Sequence, residues 1–344
     1  MPYVPEKIGE GSFWTKSRLL SWMRGHAKLL KRAVWGLAFL LVVGAISYQI
    51  VDSWQEIRTY PWHWNLKYIF WGFGVYSLSL LATAGIWATI IRRLAGLKPV
   101  LPNIGLYCLT NLAQRLPTPL PYIGARTEAY AARGVPRTTT LAAMSLEIIV
   151  TIVGALVTAL ITLPFGFPQS LERFNLLIWL LVLPLIIFIV KPNWLFRLIN
   201  SILQRLRRPS LTVQIGTPEM LVWVVTFILI WMNGGFLYYL LANSIYPIQA
   251  DEILAMINVF AVSGVIGWLG QLFFFLPSVG LRQVAVAYLL SFFIPWPVAV
   301  AVALLARLSV MIFELIWASG FSLIFSRQLL KDDRSPVSNG EKAS

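Results

Sequence analysis

The sequence predicts an all-α, polytopic integral membrane protein, and three observations carry that expectation. Only 12% of its 344 residues are charged while 58% are hydrophobic, whereas a soluble domain carries about 25% charged residues. At least six apolar stretches approach the length a helix needs to cross the hydrocarbon, roughly 20 residues. The basic residues gather in alternate loops instead of spreading evenly. Spans use up the length, so no second, soluble domain is expected.

Residues 1–32 form a basic cytoplasmic segment with Lys7, Lys16, Arg18, Arg24, Lys28, Lys31 and Arg32 against Glu6 and Glu10. Interleaved Leu19, Leu20, Trp22, Leu29 and Leu30 suit an amphipathic helix on the membrane surface; a disordered basic tail accounts for the same residues. About 30 mostly polar residues before the first apolar run do not fit a signal peptide. The transmembrane domain is expected over residues 33–326. Span one is Ala33–Val51, followed by an aromatic loop (Trp54, Tyr60, Trp62, Trp64, Tyr68) of the kind that settles at headgroup level. Span two is Lys67–Ile91, ending at Arg92, Arg93 and Lys98.

Residues 100–137 break the pattern. An apolar piece, Val100–Arg115, runs into Leu116-Pro-Thr-Pro-Leu-Pro-Tyr-Ile-Gly124, and a short helical piece stops at Arg133-Gly134-Val135-Pro136-Arg137. Three closely spaced prolines cannot continue a helix, so a re-entrant or broken helical hairpin is expected. Such backbone survives at membrane depth only when buried in protein or lining a wet cavity. Span four is Thr138–Leu163, stopping at Pro164. Span five is Leu176–Val190, and a basic loop over 191–208 follows it. Thr217-Pro218-Glu219 reads as a capped, proline-first start for span six, Met220–Leu241. A second broken element follows: Ile253–Leu276, a stop at Pro277-Ser-Val-Gly280, and a short arm Val284–Ile294 meeting Pro295-Trp-Pro297. The last span is Val298–Phe325, and residues 327–344 read as a disordered cytoplasmic tail.

Segments 1–32, 92–98, 115–137, 191–208 and 327–344 hold 23 of the 28 Lys and Arg. By the positive-inside rule this asymmetry implies N-in and C-in, in a plasma (inner) membrane. The net charge of +14 then serves anionic headgroups, and no nucleic-acid partner is expected. It also implies that the first hairpin opens from the cytoplasm and the second from outside.

The two hairpins share a motif. Leu120-Pro-Tyr-Ile-Gly-Ala-Arg126 and Leu276-Pro-Ser-Val-Gly-Leu-Arg282 match as L-P-x-[I/V]-G-x-R, 156 residues apart. Each follows a helix bearing a glutamine (Gln114, Gln271) and leads through a short arm to a proline break and a long span. Opposite orientation makes the chain two inverted repeats, about 33–164 and 176–326, an architecture of transporters that bind substrate at broken helices near the midplane.

Candidate chemistry follows from that motif. Gly124 and Gly280 would open short helices, whose N-termini carry free N–H groups and partial positive charge. An arginine there suits a phosphate. Arg126, Arg282, Gln283 and Glu128 are therefore the candidate substrate-binding residues; snorkelling to an interface, or pairing of Arg126 with Glu128, is the alternative. Glu147, Arg307 and Glu314 lie inside apolar spans, where an ionisable group costs about 3 kcal/mol and faces a partner or a cavity. Glu147 and Arg307 occupy nearly equivalent places in the halves, which suggests a cross-repeat ion pair. Arg307 and Glu314, seven apart on one helical face, allow another. Asn233-Gly234-Gly235 reads as close helix packing through small residues. One cysteine, Cys108, and two histidines, His26 and His63, leave little for metal or acid–base chemistry. Neither a cofactor nor a catalytic constellation is expected.

The stretch Leu276-Pro-Ser-Val-Gly-Leu-Arg-Gln283 with Ala303-Leu-Leu-Ala-Arg307 resembles the transmembrane region of the lysylphosphatidylglycerol synthase family. So does Leu120-Pro-Tyr-Ile-Gly-Ala-Arg-Thr-Glu128 followed by Gly134-Val and a span containing Glu147. The resemblance covers about residues 33–328 and implies two inverted halves and a flippase-like role, moving a phospholipid or lipid-linked molecule between leaflets. Two departures stand out: Ser278-Val279 where that family often has Gly-Gly after the proline, and Gln283 where it often has Glu. The family's soluble aminoacyl-transferase domain is not expected here, so its synthase activity is not carried over. The partners expected are a phospholipid or lipid-linked phosphate, the membrane itself, and either a homo-oligomer or an enzyme. A non-transporting membrane subunit that anchors or regulates a lipid or glycan enzyme is the alternative function, and an integral-membrane transferase is a third.

Overall fold

Helix α1, Leu66–Ala95, begins where Asn65 caps it, its side-chain oxygen accepting from the Lys67 N–H at 3.2 Å. It ends at Gly96, whose left-handed backbone (φ 71°) lets its N–H reach back to the Arg92 carbonyl, the usual glycine stop. Arg92 and Arg93 occupy the last turn, where cations offset the dipole. In this computed structural model the residues described are 64–97, 100–115, 120–166, 215–274 and 278–332, with a few isolated positions besides. Spans one and five, the N-terminal basic segment, most of the 191–208 loop and the two proline hinges lie outside the described residues.

Helix α2, Val100–Asn111, tightens into a 3-10 turn over Leu112–Arg115. Helix α3 is Leu120–Ala131, with Pro121 in its first turn, where its missing N–H costs nothing. A turn through Gly134 (φ 79°) leads to α4, Arg137–Gly166. Helices α5, Thr217–Asn243, and α6, Ile253–Phe274, then α7, Ser278–Leu290, and α8, Trp296–Asp332, complete the described chain. No strand occurs among these residues.

Five helical segments are long and apolar enough to cross a membrane: Leu66–Ala95, Arg137–Gly166, Thr217–Asn243, Ala250–Gly270 and Trp296–Ile324. Their outward faces are apolar too, with Leu78, Ile161, Val222, Leu229, Leu308 and Ile312 all exposed. A helix apolar on every side belongs in lipid, and the chain is an all-helical, multi-pass membrane protein.

The expected spans fall on these helices with shifted ends. Helix α5 starts at Thr217 with Gly216 as its cap and no side-chain cap bond. Helix α4 continues through Pro164 to Gly166, and α8 runs on to Asp332, into the segment expected to be tail.

Packing is close where small residues meet. A Cβ on Gly154 of α4 would sit 2.8 Å from the Phe227 Cβ of α5. One on Gly235 of α5 would strike the Ile257 backbone of α6, so the glycine pair does serve close packing. Asn258 of α6 donates to the Ala159 carbonyl (2.9 Å) and Thr162 hydroxyl (3.0 Å) of α4. Asn233 of α5 donates to the Val75 carbonyl and Ser79 hydroxyl of α1. The main core joins α1 to α5 around Trp87, Ile90, Tyr107, Tyr130, Leu146 and Phe227.

Candidate functional site

Helix α3 begins at Leu120, so Gly124 and Arg126 fall in its second turn and not at its start. The Gly124 carbonyl accepts from the Thr127 hydroxyl at 3.0 Å, as interior helical carbonyls do. In α7 the third residue is Gly280 and the fifth Arg282. The expectation that Gly-x-Arg opens each helix is therefore corrected for the first copy. Free N–H groups belong to the opening turn only, and Arg126 lies beyond it.

Arg126 is wholly buried, with 0% of its surface exposed. Its Nη1 donates to Glu147 Oε2 of α4 at 2.7 Å, and its Nε to the Thr110 hydroxyl of α2 at 3.3 Å. Three rings surround the guanidinium, Trp87 at 4.4 Å, Tyr107 at 4.3 Å and Tyr122 at 4.5 Å. These π faces accept the charge where oxygen acceptors are few; the Nη2 nitrogen has no hydrogen-bond partner among the described residues. Trp87 is fixed in turn by its indole N–H, which donates to the Tyr130 hydroxyl at 2.7 Å. A buried charge pair needs extra partners to offset desolvation, and here they are the Thr110 hydroxyl and the rings of Trp87, Tyr107 and Tyr122, on α1, α2 and α3.

Glu128, the acid nearest to Arg126 in sequence, is exposed and pairs instead with Arg137, Nε to Oε1 and Nη2 to Oε2, both at 2.8 Å. The carboxylate expected to meet Arg307 across the repeat, Glu147, is held by Arg126.

Beside this cluster lies a cavity of about 250 Å³ lined by residues of all the described helices. Among the described residues its charged lining is Glu147, Arg282, Arg307 and Glu314, with Gln283 and Gln114 among its polar neutral groups. The structure thus brings four of the candidate residues (Glu147, Arg282, Arg307, Glu314) and Gln283 to one space, and leaves Arg126 behind its wall and Glu128 outside. Glu314 is buried; its Oε1 accepts from the Tyr76 hydroxyl at 2.8 Å and the Asn111 amide at 2.9 Å. That triad ties α8 to α1 and α2. Arg282 lies over Phe260 of α6 at 4.6 Å and Trp231 of α5 at 5.7 Å. Gly267 gives it room, since a Cβ there would stand 3.3 Å from the Arg282 Cβ.

Trp87, Tyr107, Tyr122, Trp231, Phe260, Asn111 and Tyr76 were not singled out by the sequence. One signal was available: each motif arginine is preceded by an aromatic residue on the helix just before it (Tyr107, Phe260) and a tryptophan one helix earlier (Trp87, Trp231). Among the described residues no cluster of three or more metal-ligating side chains occurs. A scan against protein-family models and a search of curated proteins find nothing that matches this chain.

Proposed function

We propose that the protein is a flippase-type membrane transporter that takes the headgroup of an anionic phospholipid or lipid-linked molecule into this cavity. The observation that carries the reading is a pair of arginines, Arg282 and Arg307, lining one space inside apolar helices. Arginine at membrane depth costs about 2.5–3.5 kcal/mol or more, and lining a polar cavity is the usual reason a chain bears that cost. The cavity is smaller than a drug-sized pocket, which starts at about 300 Å³; it suits a headgroup whose tails stay in the bilayer.

In this reading the two motif copies belong to inverted halves with re-entrant hairpins. The matched placement of Trp87 and Tyr107 over Arg126, and of Trp231 and Phe260 over Arg282, supports that relation. The orientation is N-in and C-in in a plasma membrane, on the charge asymmetry. The family resemblance in both motifs agrees with lipid movement. Arg282, Arg307 and Gln283 hold the headgroup, while Arg126 and Glu147 fix the wall behind it.

The test is transbilayer movement of fluorescent short-chain phosphatidylglycerol by the full chain in proteoliposomes. Parent protein should accelerate it, and Arg282→Gln should slow it at least about tenfold, the equivalent of about 1.4 kcal/mol, at unchanged thermal midpoint. Arg282→Lys should recover part of the rate. No acceleration by the parent, or full rate in Arg282→Gln, refutes the reading and favours a non-transporting membrane subunit.

A further inference from the structure

Glu314 lies in the apolar span of α8, is buried, and lines the cavity, yet the proposed function gives it no part in holding cargo. Its Oε1 accepts from the Tyr76 hydroxyl of α1 at 2.8 Å and from the Asn111 amide of α2 at 2.9 Å. Asn111 is the last residue of α2, where the helix tightens into the 3-10 turn, a form that marks hinges. Toward α1, α8 has further ties. Phe313 packs on the rings of Phe73 (5.3 Å) and Tyr76 (5.7 Å), and the Trp317 indole N–H donates to the Ser77 hydroxyl at 2.8 Å. A hydrogen bond to an ionised acceptor is about twice as strong as a neutral one. A proton on Glu314 therefore weakens the hold on α2 while α1 stays seated on α8.

We infer that Glu314 is a proton-binding site that couples entry of an anionic cargo to release of the α2 end from α8, a proton-operated latch. The inference rests on the proposed reading that an anion enters the cavity, and it adds the coupling step. Among the described residues, the other titratable or charged side chains of the lining are Tyr76 on α1, Tyr107 on α2, Tyr122 on α3, Glu147 on α4, Tyr238 on α5, Arg282 on α7 and Arg307 on α8. Cys108 is buried on α2, one turn before Asn111. Phenols and thiols ordinarily keep their protons at neutral pH, and guanidinium groups do not lose theirs. Glu147 is tied to Arg126, which stands behind the wall in its box of rings, out of the cargo's reach. Arg282 and Arg307 line the very space the cargo enters.

The coupling follows from that difference. Arg307 stands seven residues before Glu314 on α8. An anion in the cavity draws the guanidinium forks to its own oxygens and brings like charge toward the Glu314 carboxylate. Taking up a proton removes that repulsion. The proton comes from water on the loading side, forms the O–H of a carboxylic acid, and returns to water on the unloading side; nothing is oxidised or reduced. With the charge gone, the bonds from Tyr76 and Asn111 weaken, the α2 end parts from α8, and one proton travels with each cargo.

The experiment places the full chain in proteoliposomes with fluorescent short-chain phosphatidylglycerol, the membrane potential clamped at zero and a gradient of one pH unit imposed. One proton per cargo should gather the lipid in the leaflet on the alkaline side by about tenfold, the equivalent of about 1.4 kcal/mol, beyond what protein-free vesicles show. Glu314→Gln should abolish that asymmetry, and Glu314→Asp, which keeps a carboxyl group, should retain it at a lower rate. A second arm needs no cargo: hydrogen exchange of the amides of residues 108–115 in detergent, corrected for intrinsic rates. Exchange should rise in the parent as the pH falls from about 8 to about 5, through the range of a carboxyl in contact with water and protein, and should be fast and independent of pH in Glu314→Gln. Flipping by the parent with equal leaflets under the gradient, or asymmetry kept in Glu314→Gln, overturns the coupling. Exchange over residues 108–115 that ignores pH in the parent overturns the latch. No flipping by the parent under any gradient sinks the transport reading, and the exchange arm then decides whether a proton on Glu314 frees α2.

Discussion

Replacing Glu147 with Gln tests the Arg126 cluster most directly. The substitution keeps size and one carbonyl acceptor but removes the charge 2.7 Å from a guanidinium that has no exposed surface. Uncompensating one member of a buried pair costs about 3–5 kcal/mol. The Gln carbonyl still accepts one bond, and the three rings at 4.3–4.5 Å are unaffected, so the lower end, about 3 kcal/mol, is expected. At roughly 2–4 °C per kcal/mol, the value for chains of about 150–250 residues, the thermal midpoint in detergent should fall by about 6–12 °C. Tryptophan fluorescence reads this directly, because Trp87 stands against the site. Arg126→Gln/Glu147→Gln should be less damaging than the two single changes added together, with a coupling of about 0.5–3 kcal/mol. A midpoint within about 1 °C of the parent in Glu147→Gln, or strict additivity in the double variant, would mean that the pair does not hold these helices together.

Two further outcomes follow from packing. Gly235→Ala should lower the thermal midpoint, since its methyl would meet the Ile257 backbone of α6 and overpacking costs about 1–3 kcal/mol; the same change at Gly74, where the space is open, should stabilise or do nothing. Trp87→Phe removes the 2.7 Å bond to Tyr130 and leaves a smaller, weaker π face over Arg126, and should destabilise by about 1–2 kcal/mol without slowing the proposed lipid movement, checked by thermal melts beside the proteoliposome assay.

The helices were legible because hydropathy is a local property: every described span coincides with an apolar run read from the residues alone. The pairing of charges was not. Glu128 lies two residues from Arg126 and was the obvious acid, yet the first turns outward to Arg137 while the second turns inward. A carboxylate two residues away on a helix points to another face, and Glu147, though distant in sequence, is brought alongside by the Gly134 turn. Symmetry suggested Glu147 for Arg307; proximity within the first half gave it to Arg126. The rings around Arg126 were hidden for a different reason. In a chain with 14% aromatic residues, nothing local separates a tryptophan stacked on a guanidinium from one facing lipid.

The sealed Arg126–Glu147 pair constrains how this chain can drift. Two opposite charges in an apolar surround are tolerated together, and an apolar pair of similar volume would be tolerated as well. Every single step between those sequences leaves one charge stranded among Trp87, Tyr107 and Tyr122. Neither residue can therefore wander alone, although the proposed function asks neither of them to grip the cargo. The position is held by the depth of the valley beside it rather than by what it does on the ridge. Arg282 lines the cavity on the opposite motif, so under the proposed function a change there should alter the grip on the cargo before it alters whether the chain folds.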